Sequence, residues 1–112
     1  MLKGEAATIN GDGSTTRDFC YVANVVQANL LAAMVDRVDA QNQVYNVAVG
    51  GRTSLLDLYR LLRELVEERR PGLRVPDPVH AAFRAGDVLH SQADISKAQR
   101  LLGYAPMYDL RA

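Results

Sequence analysis

Residues 11–22, Gly-Asp-Gly-Ser-Thr-Thr-Arg-Asp-Phe-Cys-Tyr-Val, combine a loop with an extended segment. The loop is predicted because glycine, aspartate and serine favour the backbone angles of tight turns. Residues 6–9, before the loop, are compatible with a short β-strand, and residues 17–22, after it, alternate polar and apolar side chains. This part of the chain therefore predicts a strand, a loop and a second extended segment.

A helix is predicted next, with Asn24 as its N-terminal cap. An apolar series follows: Val25, Val26, Leu30, Leu31, Ala33, Met34 and Val38. These positions lie on more than one helix face, so we expect the helix to be buried against two layers. Residues 44–49, Val-Tyr-Asn-Val-Ala-Val, precede two glycines and predict a buried strand.

The second helix has the clearest pattern in the sequence. Ser54 and Asp57 have the spacing of a capping box. One helix face then carries the apolar residues Leu55, Leu58, Tyr59, Leu62, Leu65 and Val66. Pro71 and Gly72 end this helix, and a short third helix is predicted after Asp94 as N-cap, closed by Gly103.

Composition excludes several classes of partner. The 112 residues include 13 Lys and Arg against 13 Asp and Glu, so no net charge attracts a nucleic acid or an anionic membrane. The longest apolar stretch, residues 30–35, is far shorter than the roughly 20 residues of a membrane-spanning helix, and no signal peptide is evident. The lone Cys20 can form neither an intramolecular disulfide nor a zinc site. We expect a cytoplasmic protein without nucleic-acid, membrane or metal partners.

Several catalytic motifs are missing. None of the five tyrosines is followed by lysine four positions later, and the sequence contains no G-x-G-x-x-G, G-x-S-x-G or G-x-x-x-x-G-K. His80 and His90 have no triad or metal spacing around them, so we expect both to be solvent-facing or hydrogen-bonded. No catalytic residue is predicted within the chain.

Residues suited to anions remain in the turns. Arg17 follows the glycine loop, and Arg84 and Asp87 flank a glycine in Arg-Ala-Gly-Asp. Arginine presents a planar fork to phosphate oxygens, and aspartate accepts hydrogen bonds from sugar hydroxyls. Taken alone, however, Arg17 and Asp18 favour a local salt bridge of little energetic value.

Three separated motifs occur in an order that resembles the extended short-chain dehydrogenases/reductases. They are GDGSTTRDFCYV at 11–22, VYNV at 44–47 and RAGDV at 84–88. Within that family, the segments RDFCYVANVVQANLLAA and FRAGDVLHSQADISKAQ are most similar to bacterial UDP-N-acetylglucosamine 4-epimerases of surface-polysaccharide synthesis. The similarity extends from about Leu2 to Pro106.

The resemblance implies an α/β fold with helices and a few short strands that lacks most of the Rossmann sheet. Residues 1–112 would be one fragment, the UDP-sugar-binding C-terminal region of an NAD-dependent nucleotide-sugar epimerase, and residues 23–50 would return to the Rossmann sheet edge. Arg17 and Arg84 would contact the diphosphate, Asp87 the ribose, and the strand of Thr8 and Asn10 the uracil.

The same resemblance implies a reaction: NAD oxidises the sugar at C4 with a tyrosine as base, the keto intermediate rotates, and the hydride returns to the other face. The groups that do this would lie outside residues 1–112, so the chain alone would be inactive and bind no NAD. Two alternatives stay open. The first is a fragment of a related nucleotide-sugar dehydratase or decarboxylase. The second is a module without activity that self-associates as a homo-oligomer or by segment exchange.

Overall fold

The computed structural model describes all 112 residues as a small α/β protein, which confirms the expected fold class. Its elements are β1 (Thr8–Asn10), β2 (Thr16–Arg17), α1 (Val22–Met34), β3 (Thr53–Ser54), α2 (Leu55–Arg69), β4 (Val79–Ala81) and α3 (Ser96–Leu102), with a 3-10 turn at Val38–Ala40. The chain divides into two compact units. The first comprises Met1–Arg17 and Thr53–Ser91, and the second Asp18–Arg52 and Gln92–Ala112. None of the helices has the length and apolar character needed to cross a membrane.

The first unit is built on a parallel pairing of two strands that are distant in sequence. β1 pairs with β4 in a register that sets Ile9 opposite His80. Ile9, Tyr59 and Val75 form the buried core between this sheet and α2, and each is at most 7% exposed. Packing of α2 against the sheet therefore fixes the position of β1.

The ends of α2 confirm the sequence prediction. The Ser54 hydroxyl accepts a hydrogen bond from the Asp57 N–H at 3.0 Å and thereby satisfies one of the free donors of the first turn. The helix ends at Arg69, just before Pro71 and Gly72. Near its C-terminal end, the Glu67 carboxylate accepts from the Val75 N–H at 3.0 Å. This contact fixes the chain that returns from the helix toward β4.

The second unit has a core of small side chains around one tyrosine. Its buried members are Ala28, Ala40, Ala48, Ile95, Ala98, Leu102 and Tyr104. The Tyr104 hydroxyl donates to the Ala48 carbonyl at 2.7 Å. Burial is the largest cause that raises the pKa of Tyr104 to about 12.

The prediction that Asn24 caps α1 is wrong. The helix begins at Val22, and Asn24 lies within its first turn, fully buried. Its side-chain oxygen accepts from the N–H groups of Met107 and Tyr108, at 2.9 and 3.1 Å, and its nitrogen donates to the Tyr108 carbonyl at 2.7 Å. Asn24 therefore anchors the C-terminal segment: a buried side-chain amide needs hydrogen-bond partners, and the backbone of Met107 and Tyr108 supplies them.

The strand predicted at residues 44–49 does not form within the chain. No strand lies beside it, and side chains satisfy its backbone instead: Lys97 donates to the Val44 carbonyl, and Tyr104 to that of Ala48. A strand needs a neighbour for its ladder of hydrogen bonds, and these β-branched residues have none. Their predicted return to a Rossmann sheet edge stays a prediction.

Helix α1 is shorter and more exposed than expected. It ends at Met34, and Val38 lies in the 3-10 turn, where the Arg37 guanidinium binds Asp39 at 2.6 Å. Two-layer burial is not seen within the chain: Ala28 is buried, but Val26 and Leu30 are 51% and 56% exposed. The second apolar face is therefore open to solvent.

The last helix begins at Ser96, and its N-cap is Ile95 rather than the predicted Asp94. Asp94 lies one residue before the cap, and its carboxylate accepts from the Ser96 N–H at 2.9 Å. That hydrogen bond lowers the pKa of Asp94. Gly103 closes the helix with a left-handed φ of 67°, as its position after the last apolar residues predicts.

Replacement of Asn24 should destabilise the protein strongly. We expect Asn24→Ala to lower the free energy of unfolding by about 2–4 kcal/mol, because it removes three hydrogen bonds to the backbone of residues 107 and 108 and empties a fully buried position. The measurement is urea denaturation followed by circular dichroism. The control is Asn29→Ala on the exposed side of α1, which should change stability by less than about 0.5 kcal/mol.

Tyr104 should make stability fall at alkaline pH. Its pKa of about 12 in the folded chain lies above the ordinary value of 10.0, so the folded state keeps a proton that the unfolded state loses. The stability that the protonated Tyr104 hydroxyl contributes is fully present below pH 10 and is lost as the pH rises toward 12. Urea midpoints across this range should decline less steeply in Tyr104→Phe than in the parent chain. Tyr108→Phe is the control, and an unchanged slope in Tyr104→Phe would contradict the assignment.

Candidate functional site

The first unit contains a cavity of about 290 Å³ beside β1. Four of the five predicted site residues line it: Thr8, Asn10, Arg84 and Asp87. The opposite wall is apolar and comes mainly from Leu55, Leu58, Tyr59 and Leu62 of α2, with Met1, Ala7 and Ile9 completing the lining. The cavity thus combines an apolar wall, a strand edge and one residue of each charge.

The strand edge is defined by the pairing of β1 with β4. The Val79 N–H donates to the Ala7 carbonyl and the Gly11 N–H to the Ala81 carbonyl, both at 2.8 Å. In a parallel pair, alternate residues direct their peptide groups to the same neighbour. The peptide groups of Thr8 and Asn10 therefore lie along the other edge of β1, which no strand of the chain covers. That edge offers alternating N–H donors and carbonyl acceptors to the cavity.

Arg84 and Asp87 are brought together by a tight turn. The Asp87 N–H donates to the Arg84 carbonyl at 3.2 Å, and Gly86 between them has a φ of 77° that favours glycine. The Arg84 guanidinium makes no hydrogen bond or ion pair within the chain. It is the one arginine in the cavity lining, so it supplies the positive charge of the cavity.

Arg17 is placed differently from the sequence expectation. The local salt bridge with Asp18 is wrong, because the Arg17 guanidinium pairs with Asp87 at 2.5 Å. It also donates to the carbonyls of Val88 and Thr16, at 2.6 and 2.8 Å. Arg17 itself does not line the cavity. The contact between Arg17 and a diphosphate stays a prediction.

Asp18 has a structural role in the second unit. Its carboxylate accepts from the N–H groups of Val49 and Gly50, at 3.1 and 3.0 Å, and from that of Ala93 at 3.5 Å. A carboxylate with three backbone donors is well satisfied without an arginine. Proximity in sequence favoured the wrong pair. The carboxylate that binds Arg17 and the N–H groups that bind Asp18 both lie far away in the sequence.

The segment after the Arg84 turn is held against β2. The Thr16 N–H donates to the Leu89 carbonyl at 2.8 Å, and the Ser91 N–H to the Thr16 carbonyl at 3.1 Å. His90 contacts the Thr16 hydroxyl through Nδ1 at 2.9 Å, and His80 Nδ1 lies 2.8 Å from the Gly11 carbonyl. Both histidines are hydrogen-bonded, as expected. The chain contains no group of three potential metal ligands.

The glycine loop does not form a dinucleotide site. In a Rossmann fold, such a loop leads directly into a helix whose N-terminus faces the pyrophosphate. Here β2 follows the loop, and Gly13 packs so closely that a Cβ there would lie 3.1 Å from that of Leu56. Hydrogen bonds from Ser14 lower the pKa of Asp12 in the same loop. This loop therefore lacks the strand-loop-helix geometry of a Rossmann dinucleotide site.

Sequence reasoning missed the apolar wall as part of the site. The helical period of Leu58, Tyr59 and Leu62 predicts one apolar helix face, and Tyr59 on that face is buried. Leu62 is 42% exposed and lines the cavity. Periodicity identifies the face of a helix but not where that face extends beyond the core, so the sequence alone gave no sufficient signal.

Comparison with known proteins identifies the family. The family model described as GDP-mannose 4,6 dehydratase matches residues 1–112. A putative UDP-glucose 4-epimerase of Methanocaldococcus jannaschii is 33% identical over 111 residues, which are 99% of this chain and 32% of that protein. This chain therefore belongs to the extended short-chain dehydrogenase/reductase family of nucleotide-sugar enzymes, and the resemblance seen in its sequence motifs is confirmed.

Solved structures agree. UDP-glucose 4-epimerase of Thermotoga maritima, in a complex with UDP-glucose, matches with a TM-score of 0.83 and 38% identity over 99% of this chain and 33% of that one. UDP-N-acetylglucosamine 4-epimerase of Methanobrevibacter ruminantium, in a complex with UDP-N-acetylmuramic acid, matches with a TM-score of 0.80 and 34% identity over 98% and 34%. The chain spans about a third of the length of these relatives.

Proposed function

We propose that this chain is the UDP-sugar-binding part of an NAD-dependent UDP-N-acetylglucosamine or UDP-glucose 4-epimerase. The observation that carries the proposal is a single cavity lined by Thr8, Asn10, Arg84 and Asp87. These residues lie up to 79 positions apart in the sequence. We place the enzyme in the cytoplasm, in the synthesis of surface polysaccharide, as the sequence resemblance implies.

The chemistry of the cavity suits a nucleoside diphosphate. The free edge of β1 offers a peptide N–H and a carbonyl side by side, which complement the imide edge of a uracil ring. The unpaired guanidinium of Arg84 suits phosphate oxygens. The resemblance implies that Asp87 meets the ribose. The apolar wall from α2 excludes water from the bound nucleotide and strengthens these contacts.

The contribution of this chain to the reaction is binding energy. Contacts to the nucleotide, remote from the reacting carbon, position the sugar and lower the barrier of the chemical step. Hydride transfer at C4 needs NAD and a base, and the chain contains neither a glycine-rich dinucleotide motif nor a tyrosine-lysine pair. We therefore expect the isolated chain to be inactive, with NAD and the catalytic groups supplied by other residues of the intact enzyme.

A dehydratase or decarboxylase of the same family is the alternative within this proposal. The matching family model carries a dehydratase description with a guanine nucleotide. All these enzymes need a diphosphate site, so the cavity alone suits each of them. The base distinguishes the guanine nucleotide from UDP, because a purine and a pyrimidine differ in size and edge.

Arg84 should determine affinity for the diphosphate. We expect UDP to bind the isolated chain, and Arg84→Ala to weaken it at least about tenfold while uridine binding changes little, because only UDP carries phosphates. Isothermal titration calorimetry measures both. Arg60→Ala removes an exposed arginine outside the cavity and should leave the affinity for UDP unchanged.

Absence of heat with millimolar UDP, in a chain shown to be folded, would contradict nucleotide binding by this chain. Tighter binding of GDP than of UDP would favour the dehydratase alternative.

Self-association is proposed on a separate observation. Large apolar side chains recur at every fourth position of α1 and are 51–67% exposed: Val22, Val26, Leu30 and Met34. Residues four apart lie on one side of a helix, so these side chains form a continuous apolar stripe. Such a stripe drives association because its burial releases water from apolar surface.

Charge within the stripe should abolish association. Val26→Lys and Leu30→Lys are each expected to shift the isolated chain toward monomer in sedimentation velocity, because burial of an unpaired ammonium is unfavourable. Asn29→Lys introduces the same charge at an exposed polar position of α1 and is the control. A parent chain that sediments as a monomer at high concentration would refute the proposal.

A further inference from the structure

We propose that Asp87 is a positioning residue for Arg17, which it holds in the orientation that meets a diphosphate. This inference rests on the proposed function of the cavity and deepens it. It differs from the role that the family resemblance implies for Asp87, which is contact with the ribose. The observation behind it is the short ion pair between the two side chains, 70 residues apart in sequence.

The geometry around Arg17 constrains the guanidinium on two sides. Nη1 donates to two backbone carbonyls, those of Thr16 and Val88, and Nη2 donates to Oδ1 of Asp87. A guanidinium has five N–H donors in one plane. Three acceptors that are fixed by β2 and by the adjoining segment define that plane, and two donors remain for a ligand.

Asp87 is suited to this role because it belongs to the turn that carries Arg84. The Asp87 N–H closes that turn on the Arg84 carbonyl. One carboxylate therefore couples the orientation of Arg17 to the position of the arginine that lines the cavity. Two arginines brought to one diphosphate repel each other, and the negative charge of Asp87, paired with Arg17, offsets part of this repulsion.

The ion pair between Arg17 and Asp87 contributes to orientation more than to stability. The Arg17 and Asp87 side chains are 29% and 38% exposed, and their charges cancel. A partly exposed pair of this kind adds little to stability. Its value to binding lies in an arginine that loses little side-chain freedom when a phosphate arrives.

A double-mutant cycle with two ligands tests the inference. Binding of UDP and of uridine is measured by calorimetry for the full chain and for Asp87→Ala, Arg17→Ala and the double variant. We expect Asp87→Ala to weaken UDP about tenfold and uridine less than about twofold, and to have no further effect on UDP once Arg17 is alanine. Asp87→Asn, which keeps an oxygen acceptor for Arg17, should recover most of the affinity for UDP.

Asp77→Ala is the matched control, because Asp77 pairs with Arg63 at 2.8 Å outside the cavity. Circular dichroism of each variant confirms that the chain is folded. Equal losses for uridine and UDP that persist in the Arg17→Ala background would overturn the inference in favour of direct ribose contact and leave the proposed function intact. Tighter UDP binding by Asp87→Ala would overturn it too, because the carboxylate would then compete with the diphosphate for Arg17. Failure of the parent chain to bind UDP would overturn both proposals.

Discussion

The parallel pairing of β1 with β4 is the interaction on which the first unit depends. It joins residues 8–10 to residues 79–81, and the intervening chain includes α2, which packs on the pair. Because the turn with Arg84 and Asp87 follows β4 within a few residues, the pairing also sets that turn beside Thr8 and Asn10. Fold and site therefore have the same cause: loss of this pairing would separate the two halves of the cavity.

Local sequence signals predicted the elements that local interactions stabilise. The capping box of Ser54 and Asp57 and the left-handed Gly103 both lie where the sequence places them, because a cap is decided within one turn of helix. The family resemblance implied a set of site residues, and the cavity gathers four of them, Thr8, Asn10, Arg84 and Asp87; their contacts with a ligand stay predictions. A family resemblance can bring such residues together because the family shares a fold. The spacing of residues within one sequence does not show which distant residues meet.

The sequence predictions that the structure contradicts involve groups whose hydrogen-bond partners are distant in sequence. Arg17 and Asp18 are adjacent in sequence, yet Arg17 pairs with Asp87, and Asp18 binds the backbone near Val49. Asn24 is of a residue type that often caps helices, yet its side chain is fully buried, as in a core residue. Residues 44–49 have the composition of a strand but no strand beside them. In each case the competing interaction lies tens of residues away, beyond what a local pattern can describe.

The free edge of β1 has a consequence for solubility. A strand edge is usually a hazard, because another chain can add to it and continue the sheet. This edge spans only three residues, Thr8–Asn10, and the left-handed glycine that follows, with a φ of 83°, turns the backbone away. An incoming strand would gain very few peptide hydrogen bonds, whereas a flat heterocycle needs no more than one donor and one acceptor. The short edge thus offers hydrogen bonds to small molecules while it gives other polypeptides little to extend.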